Sequence, residues 1–146
     1  MSTAITPNGP IEEASLATVE ATIGTRLPEP YRSWILLTGG GTLQHRIVIP
    51  RTDDNGLLNK IDAPSALNLL AQLETHLQLI PSDYLVIAQG HGGSLTVRTA
   101  RDDHGSIWWA DFDKADELEI EEPSDEIMLR LADDFTAFLA GAGIDA

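Results

Sequence analysis

The side chains best suited to chemistry are four histidines, His45, His76, His91 and His104, and twenty-three Asp and Glu residues. No two histidines form the His-x-x-x-His or His-Glu-x-x-His pair that would put two metal ligands on one helical face. His91 and His104 fall on neighbouring loops with Asp102 and Asp103 nearby, which permits only a loose two-histidine carboxylate site. Without ligand spacing they read as solvated loop histidines. An EF-hand reading of Asp53-x-Asn55-Gly56 puts Arg51 at the first ligand position and Asp62 at the last, and a leading cation defeats calcium binding. Turn chemistry accounts for Asp53-Asp54-Asn55-Gly56 instead. Gly90-His91-Gly92-Gly93-Ser94 lacks the Gly-Lys-Ser/Thr ending of a phosphate-binding loop, and it does not match the Gly-x-Ser-x-Gly of a nucleophile elbow. The chain has no cysteine, which excludes disulfides, thiol catalysis and thiolate metal sites. Carboxylates are too numerous for any one pair to stand out as general acid and base. The expectation is a non-enzymatic protein with no catalytic residue, no metal and no cofactor.

The distribution of the acids is more informative than their number. Twenty-three acids against nine bases give a net charge of −14. Residues 102–146 hold 14 acids and two bases, Lys114 and Arg130, for a net of −12; residues 1–101 net only −2. A surface of this sign repels nucleic acid and anionic lipid and attracts basic partners. Direct nucleic-acid binding would need a Lys/Arg stripe to neutralise phosphates, and none is present. The same charge could also serve solubility alone. Trp108 and Trp109 are adjacent in a strand-like run, so one points inward and one outward. The inward ring is core; the outward one either anchors a partner or lies under the last helix. The candidate contact surface is therefore Asp102, Asp103, Trp108, Trp109, Asp111, Asp113, Asp116, Glu117, Glu119, Glu121 and Glu122.

These residues need elements to position them. A chain of 146 residues makes about one domain, here 1–146, with a short flexible segment over 1–10. No apolar run reaches membrane-spanning length. Met1–Pro7 has neither a basic nor an apolar signal region, so a cytoplasmic location is expected. Leu16, Val19, Glu20 and Ile23 recur at helical spacing, with Gly24 placed to end the helix. Tyr31, Trp34, Ile35 and Leu37 predict a second short helix that stops at Gly39-Gly40-Gly41. Thr42–Ile49 predicts a strand, and Pro64-Ser65 opens a third helix with Leu69, Leu70, Leu73 and Leu77 on one face. Tyr84–Ala88, Leu95–Thr99 and Ile107–Ala110, joined by short turns, predict an antiparallel meander. After Pro123-Ser124, the residues Ile127, Leu131, Phe135, Phe138 and Ala142 predict one long closing helix. The fold class is α+β, a central antiparallel sheet with flanking helices. Its expected core includes Trp34, Leu73, Ile87, Ile107, Phe135 and Phe138.

Several of these residues together resemble the SUKH superfamily, which includes Smi/Knr-type cell-wall regulators and many bacterial immunity proteins. The likeness starts at Glu20-x-x-Ile23-Gly24-x-x-Leu27-Pro28-x-x-Tyr31, followed by Leu36 and Gly40-Gly41. It continues through Ile80-Pro81, Leu85-Val86-Ile87-Ala88, Gly92-Gly93-Ser94 and Gly105-Ser106-Ile107-Trp108 with Asp111, and closes on Leu131–Leu139. Gly39 stands where that pattern usually has asparagine, and Pro30 where it usually has an acid. Residues 43–78 carry no part of the signature. The shared residues are glycine, proline, leucine and aromatic types, which set turns and core. Function must therefore be argued from the surface. The resemblance implies a cytoplasmic immunity protein that binds a cognate toxin domain, often a basic nuclease. The other role it implies is a regulatory or scaffolding module.

Overall fold

The computed structural model describes residues 3–52, 56–62 and 79–145. The helix expected from Pro64, with Leu73 and His76, lies outside the described residues, as do Asp53–Asn55. The fold is α+β, with two four-stranded sheets and, among the described residues, four α-helices.

Helix α1 (Glu13–Ile23) buries Leu16 and Val19 and ends at Gly24, whose left-handed backbone lets its N–H reach the Glu20 carbonyl. Helix α2 (Tyr31–Thr38) buries Tyr31, Arg32 and Ile35. Leu37, expected on the same apolar stripe, is exposed instead. At about 100° per residue it lies roughly 200° from Ile35, on the opposite face.

Strand β2 (Gly40–Val48) forms a hairpin with β3 (Leu57–Asp62) and pairs on its other side with β1 (Thr3–Pro7). The two-residue β8 (Ile144–Asp145) runs parallel to β1, so the first sheet reads β3-β2-β1-β8. Residues 3–7 were expected to be flexible. They are held because β2 offers an antiparallel partner, Ile5 opposite Leu43, which the local composition does not reveal. Strands β4 (Tyr84–Gln89), β5 (Gly93–Arg98), β6 (Ile107–Asp111) and β7 (Met128–Ala132) form the second sheet in that order, an all-antiparallel meander.

Strand β7 corrects the long closing helix. Residues 128–132 are extended, and helix α4 covers only Phe135–Ala142. The apolar residues fit a helical period, but Leu129 and Leu131 also alternate about Arg130, and β6 supplies a ladder, with Leu129 opposite Trp109. Asp133-Asp134 then ends the strand. The Asp134 carboxylate accepts from the Ala137 N–H at 2.8 Å and caps α4.

The main core joins both sheets and three helices through Leu16, Tyr31, Ile35, Leu58, Ile61, Ile87, Leu95, Ile107, Trp109, Phe135 and Phe138. Trp34 packs on it partly buried, its ring 4.9 Å from that of Phe135. A smaller cluster covers the other face of the second sheet, where Ala115 and Ile127 pack with Val86, Ala110 and Met128. Among the described residues the sheets meet at one bridge, Leu57 to His91, with reciprocal backbone hydrogen bonds of 3.0 and 2.8 Å.

Candidate partner-binding surface

The acidic stretch after β6 folds as helix α3 (Phe112–Glu117) and a loop that returns to β7. Asp111 starts the helix by accepting from the Lys114 N–H at 3.0 Å, so one of its oxygens is committed to the backbone. Ala115 turns inward onto the second cluster, which orients the rest of the helix. Asp113, Asp116 and Glu117 are exposed, and Glu119, Glu121 and Glu122 continue the exposed run. Among the described residues none of these six makes an ion pair. Elsewhere Glu13, Glu20, Glu29, Asp62, Asp83, Asp103 and Asp133 all face a cation. Among the described residues Glu12, Asp102, Asp125 and Glu126 are exposed without an ion pair too, but α3 and its loop hold the densest run of unneutralised acids.

Asp102 and Asp103 belong elsewhere. They lie in a 3₁₀ turn (Arg101–Asp103) before β6, whereas α3 follows that strand. The strand separates the two groups by roughly 13 Å at about 3.3 Å per residue. Asp102 is exposed, but Asp103 is absorbed by the fold. Arg130 reaches it at 2.9 Å, Arg98 at 3.3 Å and the Ser106 hydroxyl at 2.9 Å. Burial alone would raise the Asp103 carboxyl. The hydrogen bonds from Arg130 and Ser106, with the charges of both arginines, outweigh that and hold it below the usual carboxylate range.

The two tryptophans separate cleanly. Trp109 is 0% exposed and belongs to the main core, so it has no surface to offer a partner. Its indole packs against Gly93, where a Cβ would meet the ring at 2.6 Å and the Ala110 carbonyl at 2.2 Å. That contact gives the Gly92-Gly93-Ser94 motif its physical purpose. Trp108 is half-buried on the opposite face. Its indole N–H donates to Ser106 at 2.7 Å, Tyr84 meets it edge-on at 5.5 Å, and the Arg98 and Arg130 guanidiniums lie 5.8 and 5.6 Å from its ring. Burial pushes the Tyr84 hydroxyl up to about 12; the nearby Arg98 charge opposes this, while Asp125 and Asp83 add to it. Trp108 is a clamped platform, not a free side chain.

Sequence reasoning missed Leu118, which is 46% exposed amid the unpaired acids. Its signal was present: a leucine at the end of a short acidic helix, with no apolar partner three or four positions away on the same face except the inward Ala115. Arg98 and Arg130 were missed as the neutralisers of Asp103, because their convergence depends on strand register. His91 and His104 do not form a site with Asp102 and Asp103: His104 Nε2 is 3.0 Å from the Arg26 carbonyl, while His91 sits at the sheet seam. Among the described residues no group of three or more His, Asp or Glu side chains is placed to hold a metal ion. Among them, too, no helix is long and apolar enough to cross a membrane.

The architecture is α+β, and the signature residues Gly24, Leu27, Tyr31 and Gly93 fall at its turns and in its core. The model of the SMI1 / KNR4 family (SUKH-1) matches residues 10–141, and the chain belongs to that family. A comparison with curated proteins gives no match.

Proposed function

We propose that the chain is an immunity-type binding protein, working as a single cytoplasmic domain, that blocks a basic toxin domain by covering it with acids. The observation that carries this reading is the run of six exposed carboxylates on α3 and the following loop that make no ion pair among the described residues, while seven acids elsewhere face cations. Asp113, Asp116, Glu117, Glu119, Glu121 and Glu122 would meet lysines and arginines of the toxin, with Asp111 at their edge. Nuclease toxins fit because holding phosphates requires a basic surface. Opposite fields speed encounter and fix register. Asp102 and Trp108 would lie toward the far end of the same sheet.

The experiment is a search of the neighbouring genes for a toxin domain and co-expression of this chain with it, read as growth rescue and as a purified complex. Rescue that is lost on charge reversal at Asp116, Glu117 and Glu119 supports the reading. A stable complex with a partner that is harmless by itself would favour the regulatory module instead.

A further inference from the structure

We propose that the cleft at the seam between the two sheets binds a small oxyanion, a carboxylate or a phosphate. The cleft encloses about 460 Å³ and is lined by Arg46 of β2, Leu57, Leu58 and Asn59 of β3, and Gln89, Gly90 and His91 at the turn after β4. That volume falls within the range of small-molecule sites, about 300–1,000 Å³.

Three features make it a receptor for negative charge. Its described lining holds one guanidinium, one imidazole and two carboxamides but no carboxylate, in a chain whose acids outnumber its bases 23 to nine. Among the described residues Arg46 makes no ion pair, as Arg51, Arg101 and Lys114 make none, whereas Arg26, Arg32, Lys60, Arg98 and Arg130 each face an acid; of the unpaired cations it alone lines the cleft. Among those residues its five N–H donors meet no acceptor, and their planar fork matches carboxylate and phosphate oxygens.

The third feature is that the walls are fixed. Leu57 and His91 exchange both backbone hydrogen bonds, and no bridge between the sheets continues past them among the described residues. By the two-residue alternation of strand hydrogen bonding, Asn59 and Gln89 direct their backbone groups toward the same seam. Gly90 permits this closeness, since a Cβ there would meet the Leu57 carbonyl at 2.4 Å. Cα atoms of β3 and β4 come within 8 Å of each other, too close for an inserted strand, which needs about twice the 4.7–4.9 Å strand spacing. The seam suits a compact anion and not a peptide strand.

The test is a backbone amide NMR titration with sodium phosphate, and separately with sodium acetate, at fixed ionic strength set by chloride. Saturable shifts confined to residues 57–59 and 89–91 are expected with at least one probe. Saturation by phosphate alone identifies a tetrahedral anion, and by acetate alone a carboxylate. Arg46→Gln should weaken apparent affinity about tenfold or more, as loss of a charge-assisted contact does. Arg101→Gln, at an exposed cation outside the cleft, should change nothing. Arg46 is itself exposed, so equal melting temperatures of wild type and variant without ligand establish that the fold is intact. Shifts that never saturate, that spread over unrelated surface amides, or that persist unchanged in Arg46→Gln would overturn the proposal.

Discussion

Arg32 is a charge taken out of water and met by two carboxylates. Its side chain is 6% exposed and that of Glu20 14%; Nε of Arg32 lies 3.0 Å from Glu20, and Glu13 accepts from the same guanidinium. Glu20 also accepts from the Leu27 N–H at 2.6 Å, so one carboxylate ties α1 to the chain entering α2. Glu20→Ala should cost about 1.5–3 kcal/mol, because it removes one of the two carboxylates on a buried guanidinium and leaves only Glu13 to face it. Hydrogen bonding from Arg32, against the opposing push of burial, and then the Leu27 N–H hold the Glu20 carboxyl below its ordinary 4.5. A lowered folded value means this stabilisation is complete above about 4.5 and is lost as pH falls through the lower folded value. In urea melts the gap between wild type and Glu20→Ala should therefore be constant near neutrality and close at acid pH. A gap that survives unchanged would show that packing, not charge, is lost. At the tryptophans, Trp109→Ala should cost about 3–5 kcal/mol as a filled core position is emptied. Trp108→Ala should cost less, its stacked arginines contributing about 0.5–1 kcal/mol each. The reverse order in melting experiments would mean that the sheet faces are misassigned. Adjacency predicted that the two rings part; which one enters the core depends on strand register, which composition does not carry.

At the scale of elements, legibility followed length and punctuation. α1 and α2 end at Gly24 and Gly39, and the β4–β5–β6 meander follows short apolar runs separated by a Gly-rich turn and by a polar turn closing on Gly105. These could be read because local propensity and tertiary pairing agree. β1, β3 and β7 could not, because each is made a strand by its neighbour. The spacing of Ile127, Leu131 and Phe135 satisfies a helix as well as a strand plus a helix, and only the β6 ladder decides. The candidate site divided in the same way. The exposed acids of α3 were visible as composition, whereas the engagement of Asp103 by Arg98 and Arg130 emerges only from folding. Two substitutions probe the element ends. Asp134→Ala should cost about 1 kcal/mol by removing the α4 cap, and Phe135→Ala about 3–5 kcal/mol by emptying the core beneath it. If Asp134→Ala proves neutral in thermal melts, its bond to Ala137 contributes nothing. Glu119 closes α3 with φ +56°, a left-handed conformation that glycine adopts more easily. Glu119→Gly should stabilise the fold by up to about 1 kcal/mol. On the proposed function, the same change should weaken partner binding, so stability and affinity should move in opposite directions.

For the molecule as a whole, the question is whether a charge of −14 acts at a distance or only keeps the protein in solution. Arginine neutralises the acids around Asp103 but not those on α3 and its loop, so the potential is lopsided and has a direction. A directed field does its work during encounter. Between 0.01 and 0.15 M salt the Debye length falls from about 30 Å to about 8 Å, so steering should weaken markedly over that range. Reversing charge at two or three of Asp113, Asp116, Glu117, Glu121 and Glu122 should lower the association rate with a basic toxin domain and flatten its salt dependence. Fold stability should scarcely change, because among the described residues these exposed groups have no ion pairs to lose and they already repel one another. Leu118, the exposed leucine among them, should behave differently: Leu118→Ala should leave association unaltered and speed dissociation, as removal of a short-range apolar contact does. Stopped-flow association at several salt concentrations, paired with dissociation by chase, separates the two effects. An association rate indifferent both to salt and to these acids would assign the charge to solubility and place the binding face elsewhere on the molecule.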